Sequence, residues 1–139
     1  MKILVTGAAG YIGSITINKL NEKKGLTTFG IDNLGKKKRI FKKKLNKILR
    51  YDYSDEKKIS NFINKKKIDV VIHFAANTNV LESLVYPEKF YKDFIKTKKL
   101  INICIKNGIK NFFFSSSAAV YTDSKKKLVK ILKHNLKVL

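Results

Sequence analysis

The sequence predicts an α/β fold: one doubly wound parallel sheet of about five strands, flanked by helices, in a single domain over residues 1–139. Three observations predict it. Short apolar runs alternate with longer segments of helical period along the whole chain. The apolar runs are continuous and β-branched rather than alternating, as in strands covered on both faces. A glycine-rich segment stands between the first apolar run and the first helical pattern, where a strand–turn–helix unit places it.

The elements follow in order. Lys2–Gly7 (KILVTG) reads as a buried strand, and Tyr11–Lys24 as the helix after the glycine loop. Leu26–Asp32 (LTTFGID) is the second strand and Lys47–Asp52 (KILRYD) the third, with the lysine-rich Asn33–Asn46 between them as loop or short helix. In SDEKKISNFINKK, Ser54 or Asp55 offers an N-cap, and Ile59, Phe62 and Ile63 share one helical face. Ile68–Ala76 (IDVVIHFAA) is the strongest strand signal. A helix over Pro87–Asn107 follows, with proline suited to its first turn and Gly108 to its C′ position. IKNFFFSSS is the fifth strand, and Asp123–Leu139 closes the chain as a basic amphipathic helix. There is no internal repeat and no linker-like stretch, so no domain boundary is expected.

In VTGAAGYIGS the glycines Gly7, Gly10 and Gly13 stand between strand and helix. The first permits a tight turn, the second close approach of a pyrophosphate, and the third close packing of helix on sheet. The N–H groups at the helix start then face the phosphates. Asp32 ends the second strand 19 residues beyond Gly13, where a Rossmann domain places the acid that bonds the adenosine ribose. A carboxylate there repels a 2′-phosphate, so the expected cofactor is NAD rather than NADP. The plainer reading of Asp32 is a cap on the next loop. Asp52 suits an adenine contact, with a turn aspartate as the other reading.

Composition bounds the partners. The single cysteine, Cys104, cannot form an internal disulfide and falls in an apolar helical run; a reducing cytoplasm is the expected compartment. No segment approaches the roughly 20 apolar residues of a membrane span, and no signal-peptide core is expected. The net charge is +21, from 31 Lys+Arg against 10 Asp+Glu. Only Arg39 and Arg50 are arginines, and the lysines are scattered in short runs rather than gathered into a stripe. Base and phosphate readers favour the arginine fork. Solvated basic faces, rather than a specific nucleic-acid site, are therefore expected, and a basic nucleic-acid-binding module is the minor alternative.

The segments MKILVTGAAGYIGS, IDNL, IDVVIHFAA, VLESLVYPEKFY and KNFFFSSSAAVY, in order from Met1 to Tyr121, resemble the UDP-glucose 4-epimerase family of extended short-chain dehydrogenases/reductases. Related nucleotide-sugar epimerases and dehydratases share much of this series. The resemblance implies an NAD held by Gly7, Gly10, Tyr11, Ile12 and Gly13 in the first loop, by Asp32 and Asn33 at the end of the second strand, by Asp52, and by Phe74, Ala75 and Ala76 at the end of the fourth strand. It implies interconversion of UDP-glucose and UDP-galactose through transient oxidation at C4. Ser117 would orient the reacting hydroxyl, Tyr121 would take its proton, and Lys125, four residues on, would lower the tyrosine pKa. A small-molecule UDP-sugar is the implied substrate. Family members also dimerise through a helix pair that would include Pro87–Asn107.

Several positions depart from the pattern. Thr78 stands where the family carries a lysine near the cofactor, and Asp93 or a near neighbour where it carries an asparagine, in a segment one residue short. His73 matches a family histidine and is expected to be a hydrogen-bonded core residue; His134 is expected at the surface. The family carries a second tyrosine about two dozen residues after its serine cluster, whereas here YTDSKKKLVKIL follows Ser117 directly, as if the intervening loop were deleted. Family members are more than twice this length. The expected alternatives are thus an active epimerase, an NAD-binding remnant without independent activity, or a partner of a separately encoded C-terminal half.

Overall fold

The computed structural model describes residues 1–35 and 48–116. Five strands, β1 (Lys2–Thr6), β2 (Thr27–Asp32), β3 (Ile48–Arg50), β4 (Val70–His73) and β5 (Asn111–Phe114), form one sheet in the order β3-β2-β1-β4-β5. Every pairing is parallel, with Leu4 opposite Phe29 on one side and Val71 on the other. The helices among the described residues are α1 (Tyr11–Asn21), α2 (Glu56–Lys66), α3 (Val80–Val85) and α4 (Pro87–Lys106). The chain belongs to the Rossmann-like α/β class that the sequence predicts.

Alternation along the central strands divides the core into two layers. Leu4, Ile31, Val71 and Phe112 point to the face covered by α2 and α4, where they meet Ile59, Phe62, Ile63, Leu100, Ile103 and Cys104. Ile3, Val5 and Val70 point to the other face and meet Ile17 of α1. Both faces of β1 are therefore buried, which accounts for its unbroken apolar run. Burial pushes the Cys104 thiol up to about 12, so it behaves as a small packing group. Gly30 sets the spacing between β2 and α1: a Cβ there would lie 2.7 Å from Ala8 Cβ and 3.1 Å from Ile17 Cδ1.

Local signals hold at the helix ends. The Asp55 carboxylate accepts the Lys58 N–H at 3.1 Å, choosing between the two candidate caps of α2. Pro87 opens α4, and Gly108, with φ +71°, follows its C-cap Asn107. Several elements differ from expectation, among them β3 and β5, which keep only Ile48–Arg50 and Asn111–Phe114 of the longer runs expected. The first helix stops at Asn21 rather than Lys24, because Lys23 and Leu26 enter turns leading to Gly25 at φ +79°. The fourth strand ends at His73 rather than Ala76, since the close approach of Phe74 and Ala75 to Gly7 turns the chain out of the sheet. Short α3 was not expected; its apolar residues Val80, Leu81, Leu84 and Val85 are exposed and give no core-facing stripe. The lysine-rich segment 36–47 and the terminal helix expected over Asp123–Leu139, with His134, lie outside the described residues. No helix among the described residues is long and apolar enough to cross a membrane.

Candidate functional site

The connections β1→β2→β3 run toward one edge of the sheet, and β4→β5 runs toward the other. The strand order therefore reverses between β1 and β4, and a crevice opens beyond their C-terminal ends, where doubly wound sheets bind ligands.

The glycine loop forms one wall. Gly7 has φ +67°, and a Cβ on it would lie 2.7 Å from the Ala75 nitrogen and 2.8 Å from the Phe74 carbonyl carbon. A side chain at Gly13 would fall 2.2 Å from the Gly7 carbonyl oxygen. These two glycines are demanded by the fold itself. Gly10 is different: its Cβ would meet only the Gly7 oxygen, at 3.2 Å, so the space before it is open. Gly10 is also the N-cap of α1 and supplies no side-chain cap, so the first N–H groups of that helix face the crevice without a capping side chain. Tyr11 and Ile12 at the helix start are exposed.

Asp32 is tied to this wall. Its Oδ2 accepts the Ala9 N–H at 3.1 Å and its Oδ1 accepts the Leu34 N–H at 2.8 Å, so the carboxylate both braces the glycine loop and caps the next turn. The structure thus shows the plainer reading of Asp32, a loop cap, on a carboxylate held beside the glycine turn. Asn33 Oδ1 accepts the Gly35 N–H at 3.2 Å.

Behind the crevice a buried hydrogen-bonded chain joins β1, β4 and α4. Thr6 Oγ1 lies 2.6 Å from His73 Nδ1, and His73 Nε2 lies 3.0 Å from Thr97 Oγ1. The Ala75 N–H donates to Thr6 Oγ1 at 3.3 Å. If the Thr6 hydroxyl donates to Nδ1 and Nε2–H donates to Thr97, each proton is used once by a neutral imidazole. Burial pushes the His73 pKa down to about 4 and keeps it neutral. His73 is 1% exposed and packed between the Tyr53 and Phe114 rings, the core role expected of it. Thr6 and Thr97 carried no sequence signal beyond being small polar residues in apolar surroundings.

Asp52 follows β3. Its Oδ1 accepts the Ser54 N–H and hydroxyl at 2.9 and 2.8 Å, an Asx turn, and its Oδ2 accepts Lys96 Nζ from α4 at 2.5 Å. Burial works to raise its pKa, but the bonds from Lys96 and Ser54 outweigh it and hold the carboxyl below its usual value. Lys96 is a residue that sequence reasoning missed, being one lysine among many. Tyr53, next in the chain, has a buried hydroxyl with no partner at hydrogen-bonding geometry among the described residues; burial, then the charge on Asp93, pushes it up to about 12. Asp93, at the position where an asparagine was expected, accepts the Asn77 N–H at 2.7 Å and so pins the loop after β4 to α4. Thr78 is exposed in that loop. Ser117, Tyr121 and Lys125 lie outside the described residues.

A parallel sheet with a switch point, a glycine turn feeding a helix without a side-chain cap, and an acid at the end of β2 together are the arrangement of a Rossmann-like α/β domain. The chain belongs to the NAD-dependent epimerase/dehydratase family, whose model matches residues 3–135. It is 36% identical over 134 residues to UDP-glucose 4-epimerase of Klebsiella pneumoniae, covering 91% of this chain and 96% of that sequence. It is 36% identical over 137 residues to UDP-glucose 4-epimerase of Caenorhabditis elegans, covering 87% of this chain but 39% of that one. The structure superposes with a TM-score of 0.81 on UDP-glucose 4-epimerase from Stenotrophomonas maltophila with bound NAD and formylated UDP-arabinopyranose. That match has 27% identity and covers 93% of this chain and 40% of the other. The chain therefore spans about two fifths of the longer relatives it matches.

Proposed function

We propose that residues 1–139 carry the NAD-binding domain of an enzyme that interconverts UDP-glucose and UDP-galactose. The observation that carries this reading is the glycine cradle: Gly7 and Gly13 are required by contacts within the fold, whereas Gly10 keeps open a space beside the start of α1. That is the shape a pyrophosphate needs. In this reading Gly10, Tyr11, Ile12 and Gly13 receive the pyrophosphate, Asp32 and Asn33 the adenosine ribose, and Asp52 the adenine. Phe74, Ala75 and Ala76 flank the nicotinamide side. NAD, when bound, supplies reversible hydride acceptance at C4 of the sugar. Ser117 orients the C4 hydroxyl, Tyr121 takes and returns its proton, and Lys125 holds that tyrosine's pKa low.

A second reading has its own observation. Because the chain spans about two fifths of the longer relatives, it accounts for the cofactor site and leaves most of a sugar pocket unaccounted for. In this reading the chain binds NAD and turns over UDP-sugar only with further polypeptide, covalently continuous or separately encoded. Two measurements separate the readings. Calorimetric titration with NAD gives a saturable one-to-one site under both and none if the cofactor reading is wrong. Conversion of UDP-galactose to UDP-glucose by the NAD-loaded chain occurs under the first only. A homodimer through α4, expected from the family, is checked by sedimentation of the same sample.

A further inference from the structure

Asp93 and Thr97 stand four residues apart in α4, on the same face of the helix. Thr97 meets His73, the last residue of β4, at 3.0 Å from Nε2. Asp93 lies one turn, about 6 Å, nearer the start of α4. Because α4 joins two parallel neighbours and so runs back against the strands, that turn lies beyond the C-terminal edge of the sheet. There the Asp93 Oδ2 accepts the Asn77 N–H at 2.7 Å, in the loop that Phe74, Ala75 and Ala76 carry away from β4.

The Asp93 charge has no counter-ion among the described residues. Lys89, one turn earlier, pairs with Glu82, and Lys96, three residues later, pairs with Asp52. The partner of Asp93 is a neutral amide, and Thr78 beside that amide is neutral too. Burial, then this charge, pushes the Tyr53 hydroxyl up to about 12, so the field of Asp93 reaches inward across the end of the sheet. The loop wall of the crevice is therefore negative on its β4 side. An oxidised nicotinamide ring carries a positive charge and a reduced ring none, while the two dinucleotides carry the same phosphates. We propose that Asp93 makes the crevice selective for the oxidised dinucleotide, its carboxylate favouring the cationic ring across the loop that flanks it. Asp93 is then a specificity-determining residue, which keeps the cofactor in the state able to accept a hydride. This assignment rests on the NAD site proposed above, and a ratio between the two redox states tests it separately, because the effect of Asp93 on the shared phosphates cancels.

Calorimetric titration at one pH and ionic strength compares NAD with NADH for the unaltered chain, Asp93→Asn and Asp93→Glu. Asparagine keeps an acceptor for the Asn77 N–H and removes the charge; glutamate keeps the charge. The ratio of the NADH Kd to the NAD Kd should fall about tenfold in Asp93→Asn, equivalent to a rise of about 30 mV in the potential of the bound couple. In Asp93→Glu it should stay within about twofold of the unaltered chain. A merely structural tether moves both ligands together. Equal changes for NAD and NADH in Asp93→Asn, no change for either, or a ratio lost equally in Asp93→Glu overturns the proposal. Asp93→Ser, judged by the same ratio, replaces Asp93→Asn if the latter does not fold by circular dichroism. If none of the chains binds either dinucleotide, the cofactor reading fails and the selectivity with it. If all bind both with one common ratio, only the selectivity fails.

Discussion

Acidification from pH 7 to pH 5 adds a proton to His73 in the unfolded chain and not in the folded one. The imidazole is 1% exposed, and burial lowers its pKa from 6.5 to about 4. Between those values the unfolded state binds more protons than the folded state, so stability rises with pH through this window. The contribution is fully present above pH 6.5 and is lost as pH falls toward 4. From the two pKa values the loss is about 2 kcal/mol between pH 7 and pH 5, growing to about 3 kcal/mol at lower pH. The lowered carboxyls of Asp52 and Asp55 have an ordinary value of 3.8, so their own losses belong to a more acidic range. Urea unfolding at pH 7 and pH 5, at constant salt, measures the difference. Proton NMR of the imidazoles gives a second readout, because His134 is the only other histidine and a His134→Asn variant assigns the spectrum. An unchanged urea midpoint between the two pH values, or a His73 resonance titrating near 6.5, would refute the buried neutral imidazole.

The glycine loop separates folding from binding: Gly10→Ala should keep its stability within about 1 kcal/mol, since the added methyl meets one oxygen at 3.2 Å, yet lose NAD affinity by about tenfold in calorimetry. Gly7→Ala, with φ +67° and backbone at 2.7 Å, should instead lose about 3 kcal/mol or more in chemical denaturation. Gly30→Ala should cost about 1–3 kcal/mol by the same assay, because its methyl drives into Ala8, Ile48 and Ile17; an unchanged midpoint would mean that β2 and α1 have room to part. Asp55→Ala removes the cap on the Lys58 N–H and should lower Tm by about a few degrees in thermal unfolding.

What the sequence made legible follows from how local each cause is. β1 and β4 were visible because burial on both faces writes an unbroken apolar run, and α4 because Pro87 and Gly108 mark its ends. Asp55 and His73 were visible for the same local reasons. α3 was not, because a short helix with its apolar residues turned to solvent has no core-facing period. The Asp52–Lys96 pair was invisible because one lysine in a chain with 31 Lys+Arg carries no information about its partner. Asp93 was noticed only as a departure from a pattern; its bond to the Asn77 N–H depends on how α4 crosses the loop after β4, which no local rule specifies. The partners of His73, Thr6 and Thr97, are likewise 67 and 24 residues away and are joined only by the crossing of three elements.

The position of β1 at the middle of the sheet has a consequence for the chain as it is made. The first of the described strands to be synthesised is the one that needs both neighbours, β2 from residue 27 and β4 from residue 70. Its second edge waits for more than 60 further residues, on the order of ten seconds at ordinary elongation rates. During that interval an apolar strand with one lysine, at its start, offers unpaired amides to any other strand it meets. Arrival of Val70–His73 then seals β1 and gives β5, made later, a strand to pair with. A ribosome paused before residue 70 would hold the nascent chain at its most adhesive, and one paused just after β4 has cleared the exit tunnel would hold it with its central seam shut.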